Sequence, residues 1–470
     1  MQSLSVLTPS ISEELEAPEK SEASAASDLE LLSRSLSGSK EVAESAGLAP
    51  PVPETLEETG LAASTVQQLI LKMLYARGDL LGRDLSESLG LKFSLIESII
   101  EFFKQQHFIQ AKKSLGMGNS TVLFSITETG RNAARECMET NQYAGPAPVP
   151  LYQYAEMVRR QKRADGWLTA EALRKAYSRM IVTPRILAQI GPAVSSGNSF
   201  LIYGQPGNGK TFLAEALMQL DDSCVYVPHA LECQGNVVQV FDPLYHQPVG
   251  DSGEQSVFST GPQHDRRWIK CRRPFIVTGG ELTLEMLDLN YNATSKIYDA
   301  PYQLKANNGI YLIDDFGRQQ CTPAEVLNRW IVPMERRVDY LKFHSGGKIT
   351  APFEAFLIFS TNLNPEQLGD EAFLRRIQYK MLLRSPDEHE FTTIFRHFCE
   401  SKSLKHVDGL IARFIDKHYR KARRPFRRCH PRDVLSHAID LIHFEKLPFE
   451  LTDDLVDRAF ESCFLEETGD

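Results

Sequence analysis

Gly204-Gln205-Pro206-Gly207-Asn208-Gly209-Lys210-Thr211 matches the pattern G-x-x-x-x-G-K-S/T at every position. An apolar run, Ser199-Phe200-Leu201-Ile202-Tyr203, precedes it, and a helical pattern runs from Phe212 to Leu220 after it. The glycines let the loop wrap phosphate groups with its backbone N–H donors. The helix start that follows adds a favourable dipole for an anion. Lys210 is expected to reach the β- and γ-phosphates of ATP, and the Thr211 hydroxyl to ligate Mg2+. A chance match is the plainer reading, but chance gives no reason for the strand before it and the helix after it.

Two further strands end in chemistry. Ile310-Tyr311-Leu312-Ile313-Asp314-Asp315 reads as a buried strand with two carboxylates at its C-terminal end. Ligands bind open α/β sheets at that end. Asp314 is expected to hold Mg2+ through water, and Asp315 to orient and polarise the attacking water. Without the loop upstream, the pair would read only as a polar strand end. Phe356-Leu357-Ile358-Phe359-Ser360-Thr361-Asn362 is again a buried strand ending in polar residues. Asn362 either hydrogen-bonds the γ-phosphate or the water, or merely caps the strand.

With these motifs in this order, residues 165–465 resemble AAA+ ATPases. The resemblance makes the three segments Walker A, Walker B and sensor 1. It implies an arginine finger within Asp370-Glu371-Ala372-Phe373-Leu374-Arg375-Arg376, carried onto Arg376 with Arg375 in reserve. It also implies a sensor 2 arginine, Arg432 in Cys429-His430-Pro431-Arg432-Asp433-Val434. The family usually has Glu where this chain has Asp315. The family's helical lid is expected to open with a capping box, Ser385-Pro386-Asp387-Glu388, with Pro at the first helical position.

Val338–Phe343, His344-Ser345-Gly346-Gly347 and Lys348–Phe353 read as a β-hairpin just before sensor 1. The chain is similar in this to the AAA+ branch with MoxR-type and NtrC-type proteins. More closely, it resembles bacterial ATPases with chaperone activity associated with Flp pilus assembly. Gly279-Gly280-Glu281-Leu282-Thr283, Asp314-Asp315-Phe316-Gly317-Arg318 and Cys429-His430-Pro431-Arg432-Asp433 carry that likeness. The resemblance implies a homo-oligomeric ring, expected to be a hexamer, acting on a protein substrate or adaptor.

Composition sets the frame around these motifs. The chain has 470 residues, 42% apolar and 24% charged, enough for a sizeable core. It has no long apolar span and no signal-peptide pattern at its start, so a cytoplasmic protein without membrane insertion is expected. Eight scattered cysteines without a C-x-x-C pair predict neither disulfides nor zinc. Residues 1–60 hold twelve acidic and three basic side chains, the whole net charge of −9. They lack aromatic residues and read as a disordered acidic arm, either a solubilising tail or a docking segment.

Residues 61–138 read as three helices and a hairpin, resembling a winged helix-turn-helix. Ser64 with Gln67 and Ser94 with Glu97 form candidate capping boxes. The third helix sets Lys92 and Lys104 against Glu97 and Glu101, and the wing adds only Lys112 and Lys113. DNA binding requires a basic face. A protein partner is therefore favoured over nucleic acid, with a DNA-directed ATPase or a slow ATP-dependent switch as alternatives. Residues 139–165 read as a stiff linker, 166–384 as an α/β domain built on a P-loop NTPase parallel sheet, and 385–470 as the C-terminal helical lid. The insert from Pro228 to Leu304 is expected to engage the partner, with Gly279 and Gly280 suiting a movable loop.

Overall fold

The computed structural model describes residues 49–464, apart from 165, 179, 221–222, 250–263 and 370–373. Most of the acidic arm, the Gly/Ser-rich loop 250–263 and the start of the expected finger segment lie outside the described residues.

Val66, Leu69, Ile70, Met73 and Leu74 repeat at helical spacing and are buried along α1, Ala63–Arg77. There follow β1, Leu80–Leu81; α2, Gly82–Leu89; α3, Phe93–Gln105; β2, Ile109–Ser114; β3, Val122–Ile126; and α4, Glu128–Thr140. The strands pair antiparallel in the order β1-β3-β2. Neither expected serine box forms. α1 is capped at Ala62 and α3 at Lys92, without side-chain bonds. A buried leucine, Leu61 or Leu91, docks just before each helix. That apolar contact sets where the helix begins and leaves each serine inside the first turn.

The expected linker is not a spacer. It contains β4, Val149–Pro150, and α5, Leu151–Arg160. Leu151, Tyr154, Met157 and Val158 are buried at helical spacing, so this stretch is part of a core. The Pro-rich composition just upstream hid that period.

Next come α6, Ala170–Ala176; α7, Pro184–Ser196; β5, Phe200–Tyr203; and α8, Lys210–Glu215. The insert supplies β6, Cys224–Pro228; β7, Ala230–Cys233; β8, Asn236–Gln239; β9, Trp268–Arg272; β10, Phe275–Thr278; β11, Asn290–Asn292; β12, Ile297–Asp299; and α9, Tyr302–Lys305. The chain continues with β13, Ile310–Ile313; α10, Pro323–Arg336; β14, Val338–Lys342; β15, Lys348–Pro352; β16, Phe356–Thr361; and β17, Tyr379–Leu382.

The central sheet has the order β10-β13-β16-β5-β17, and every pairing in it is parallel. Its inner strands β13, β16 and β5 are buried on both faces, which is why they read as continuous apolar runs. Phe200, Ile202, Leu312 and Ile358 point into one core. Leu201, Tyr311, Ile313, Leu357 and Phe359 point into the other. The ends of β5, β13 and β16 therefore meet at one edge.

A second sheet, β11-β12-β8-β7-β4, packs with α5 and the β14–β15 hairpin around Trp268, Tyr298 and Leu341. Much of the insert is thus a structural layer. Leu282 and Leu287 are fully buried against the central sheet, and neither Gly279 nor Gly280 adopts a positive φ. Those two leucines anchor the segment from 279 to 288, in which Leu284 and Met286 stay exposed. The N-terminal module is fixed to the same layer. The Arg267 guanidinium pairs with Asp265 at 2.8 Å and donates to the Thr59 carbonyl at 2.9 Å.

The C-terminal part holds α11, Glu388–Ser401; β18, Lys405–His406; α12, Leu410–Ile415; α13, His430–Glu445; β19, Glu450–Leu451; and α14, Asp453–Cys463. Phe391, Phe395, Phe414 and Tyr419 centre its core. The expected box at Ser385 is displaced. Asp387 caps α11, accepting from the Glu390 N–H at 2.8 Å. Ser385 instead takes a hydrogen bond from Arg427. Among the described residues, no helix is long and apolar enough to cross a membrane.

Candidate functional site

The loop between β5 and α8 turns on glycine. Gly204 has φ 145° and Gly207 φ 77°. A Cβ on Gly207 would meet the Cys429 sulfur at 2.6 Å, so the lid start packs on the loop as only glycine allows. The Cys429 N–H donates to the Gly207 carbonyl at 2.9 Å. Asn208 is 1% exposed and turns its amide toward Leu383 and Ser385.

Lys210 is 6% exposed. Its ammonium donates to the Gly204 carbonyl at 3.0 Å, the Gln205 carbonyl at 3.2 Å and the Asn362 Oδ1 at 2.5 Å. Burial lowers its pKa, while the Asp315 and Asp314 carboxylates oppose that shift. The Thr211 hydroxyl donates to Asp314 Oδ2 at 2.7 Å. The Asn362 Nδ2 donates to Asp315 Oδ1 at 2.8 Å. Asn362 thus bridges the cation and the second carboxylate. The charges of its two neighbours fix which way its amide points.

A cleft of about 660 Å3 opens beside these groups. The loop, Asp314, Asp315 and Asn362 give it a polar lining. Met180, Ile181, Val182 and Ile186 give it an apolar lining, with Ile394 and Phe398 from α11. Phosphates suit the polar lining and a flat heterocycle the apolar one. The hydroxyl of Thr211 and the carboxylate of Asp314 are hard oxygen donors that fit Mg2+, which takes its remaining ligands from phosphate and water. No group of three or more His, Cys, Asp or Glu among the described residues forms a metal cage.

Sequence reasoning did not find the apolar wall. Its members are short runs indistinguishable from core. It also passed over two arginines. Arg427 donates to Ser385 Oγ at 2.5 Å and reaches Gln205 Oε1 at 3.5 Å, placing a positive charge beside the phosphate loop. Arg428 spans the Ile181 carbonyl at 3.0 Å and Glu390 at 2.8 Å, tying the lid to the apolar wall. Arg432 lies on the cleft but is exposed and pairs with its neighbour Asp433 at 2.9 Å. Arg376 is away from this cleft and pairs with Glu335 at 2.9 Å. Arg375 is exposed.

The glycine-rich loop follows β5 and Asp314 follows β13 directly, so both sit at the same end of the parallel sheet. Comparison with known proteins adds the following. Residues 387–462, most of the helical lid, match the family model "Domain of unknown function (DUF8689)". No curated protein sequence matches the chain. Among solved structures, NtrX from Brucella abortus with ADP is similar at 14% identity and a TM-score of 0.35, over 70% of this chain and 62% of NtrX. The match therefore spans less than two thirds of NtrX. The RuvB Holliday junction branch migration motor of Thermotoga maritima is similar at 16% identity and a TM-score of 0.33, over 64% of this chain and 72% of RuvB. At these values neither protein's activity transfers to this chain.

Proposed function

We propose that the protein is an AAA+ ATPase of the branch with MoxR-type and NtrC-type members. It binds MgATP and hydrolyses it to drive remodelling or assembly of a protein partner. The observation that carries this reading is the chain of contacts Lys210–Asn362–Asp315 beside Thr211–Asp314. It brings a buried cation and two carboxylates together around one point. In this reading Gly204 to Thr211 hold the triphosphate, Thr211 and Asp314 hold Mg2+, and Asp315 orients the attacking water. Asn362 bonds the γ-phosphate or that water. Arg432 senses nucleotide from the lid, and Arg376 serves the site of the next subunit in a homo-oligomeric ring of six. The setting is the cytoplasm, with a chaperone role of the kind linked to pilus assembly.

The N-terminal module is a winged helix that docks protein. Three of its lysines face carboxylates: Lys92 pairs with Glu54 at 2.6 Å, Lys104 with Glu101 at 2.7 Å and Lys112 with Asp79 at 2.7 Å. The basic run near residue 420 is likewise engaged internally, Arg420 by Glu388 and Arg428 by Glu390. These pairings reduce the positive charge that phosphate contacts need.

Isothermal titration and phosphate release test the reading together. Lys210→Ala should abolish ATP binding. Asp315→Asn should bind ATP and fail to turn it over. Unchanged ATP affinity in Lys210→Ala would overturn the site.

A further inference from the structure

Gln319 lies four residues beyond Asp315, and its side chain folds back over the end of β13. Its Nε2 donates to the Asp314 carbonyl at 2.9 Å, the Asp315 carbonyl at 3.2 Å and the Gly279 carbonyl at 3.3 Å. Its Oε1 accepts from the Gly317 N–H at 2.7 Å. A backbone N–H can only donate, so that contact fixes the amide's orientation and aims both its N–H groups at the carbonyls. The last backbone rung between β10 and β13 is Asp314 N–H to Thr278 O, 2.8 Å. The Gln319 amide adds the next rung, past the point where the strands part.

Two features make this junction matter. Asp315 has φ 47°, a left-handed conformation that a residue with a Cβ rarely adopts. Such a residue persists only where its surroundings hold it. Its carbonyl is held by the Arg318 N–H at 2.9 Å and by Gln319. The second feature is the segment on the other side. From Gly279 it runs to Leu282, whose carbonyl accepts the Gln320 N–H at 3.2 Å. At its far end Leu287 O takes Gln303 Nε2 at 2.7 Å, and Asp288 Oδ1 takes the Lys342 N–H of β14 at 2.9 Å. One side-chain amide therefore joins the turn that carries Asp315 to a segment reaching the hairpin.

We propose that Gln319 is a positioning residue that holds the left-handed turn at Asp315 and couples it to segment 279–288. A shift of Asp315 with the state of the γ-phosphate then reaches the hairpin through the three carbonyls that Gln319 gathers. The inference rests on the reading of Asp315 as the group that orients the attacking water.

Four full-length proteins test it: wild type, Gln319→Glu, Gln319→Ala and Asp315→Asn. Gln319→Glu keeps the shape and the acceptor for Gly317, and turns an acceptor oxygen toward the three carbonyls. Gln319→Ala removes all four contacts and stands in if Gln319→Glu does not fold. The measurements are ATP affinity by titration, single-turnover hydrolysis with protein in excess, and amide hydrogen exchange at 279–288 with and without ATP. In Gln319→Glu the affinity should stay within about twofold of wild type. The rate should fall on the order of 10²-fold, as for a displaced reacting group. The ATP-dependent change in exchange at 279–288, present in wild type, should be lost. A Gln319→Glu protein that hydrolyses at the wild-type rate with its exchange response intact overturns the proposal. So does a loss of ATP affinity parallel to the loss of rate, which marks a general scaffold residue. A wild type without any ATP response at 279–288 overturns the coupling. Asp315→Asn at the wild-type rate overturns the reading of Asp315 itself, whatever the Gln319 variants do.

Discussion

The Asn362 carboxamide oxygen lies 2.5 Å from the Lys210 ammonium, across 152 residues of sequence. The other end of the same amide binds Asp315 at 2.8 Å. A neutral side chain thus separates a buried cation from a carboxylate. Asn362→Ala should keep ATP binding and lower the hydrolysis rate by roughly 10²–10³, the cost of losing one preorganised hydrogen-bonding group. Asn362→Asp should be worse, because it sets a second negative charge against Asp315. Initial rates of phosphate release at saturating ATP decide this, and a wild-type rate in Asn362→Ala would remove the residue from the mechanism.

Arg376 pairs with Glu335 and stays off its own cleft. That placement suits a finger acting on a neighbouring subunit. Arg376→Ala should lower the rate by about 10³–10⁵. Mixed with Lys210→Ala protein, it should recover part of the activity, since some sites then combine an intact loop with an intact finger. Mixtures that stay inactive at every ratio would assign the finger elsewhere.

The paired lysines of the N-terminal module predict weak DNA binding. Fluorescence anisotropy of the full chain with duplex DNA near physiological salt should show no binding at about micromolar concentration. Tighter binding with a steep salt slope would restore the DNA-directed reading.

Leu282 is fully buried, while Leu284 and Met286 are 36% and 37% exposed. Leu282→Ser should destabilise by roughly 3–5 kcal/mol, because it opens a cavity and buries a hydroxyl. Leu284→Ser with Met286→Ser should shift stability far less and still weaken coupling to the partner. Denaturant melts of the two variants make the comparison. Equal destabilisation would show that the whole segment is core.

Burial holds His229 and His430 near a pKa of about 4, against 6.5 for an unperturbed imidazole. His246 is shifted the same way, again chiefly by burial. Burial disfavours the charged form of each in the folded chain. As pH falls below the unfolded value, the unfolded chain takes up protons that the folded chain refuses. Stability should therefore fall between roughly pH 7 and pH 5, above the range where the carboxylates titrate. Melting temperatures across that window check the sign, and His229→Gln or His430→Gln should flatten the slope. A flat wild-type profile would show that these histidines protonate in the folded protein.

Several parts of this architecture are legible in the amino-acid order alone. The phosphate loop is one contiguous octet with its glycines in place. The β13 and β16 strands announce themselves as apolar runs ending in polar residues. The β14–β15 hairpin shows its turn. Each is a local pattern, complete within about ten residues. Helix starts are less legible. Ser64, Ser94 and Ser385 each have the spacing of a cap, but a cap also depends on where the preceding chain docks. Leu61 and Leu91 decide two of those starts by burial, and Arg427 claims Ser385 for the loop–lid contact.

The chain's own sequence was enough for the glycine-rich loop and the strands that lead to Asp314, Asp315 and Asn362, because backbone geometry and side-chain period act over short range. It could not say that residues 151–158 are core. That depends on a sheet built from strands far along the chain, whose apolar faces α5 covers. Nor could it choose among Arg427, Arg428 and Arg432, three cations within six residues. Only the packing of the lid places Arg427 beside Gln205, Arg428 across Ile181 and Glu390, and Arg432 on the open rim. A side chain's electrostatic role is set by its distance to a charge, and that distance exists only once separate elements share a core.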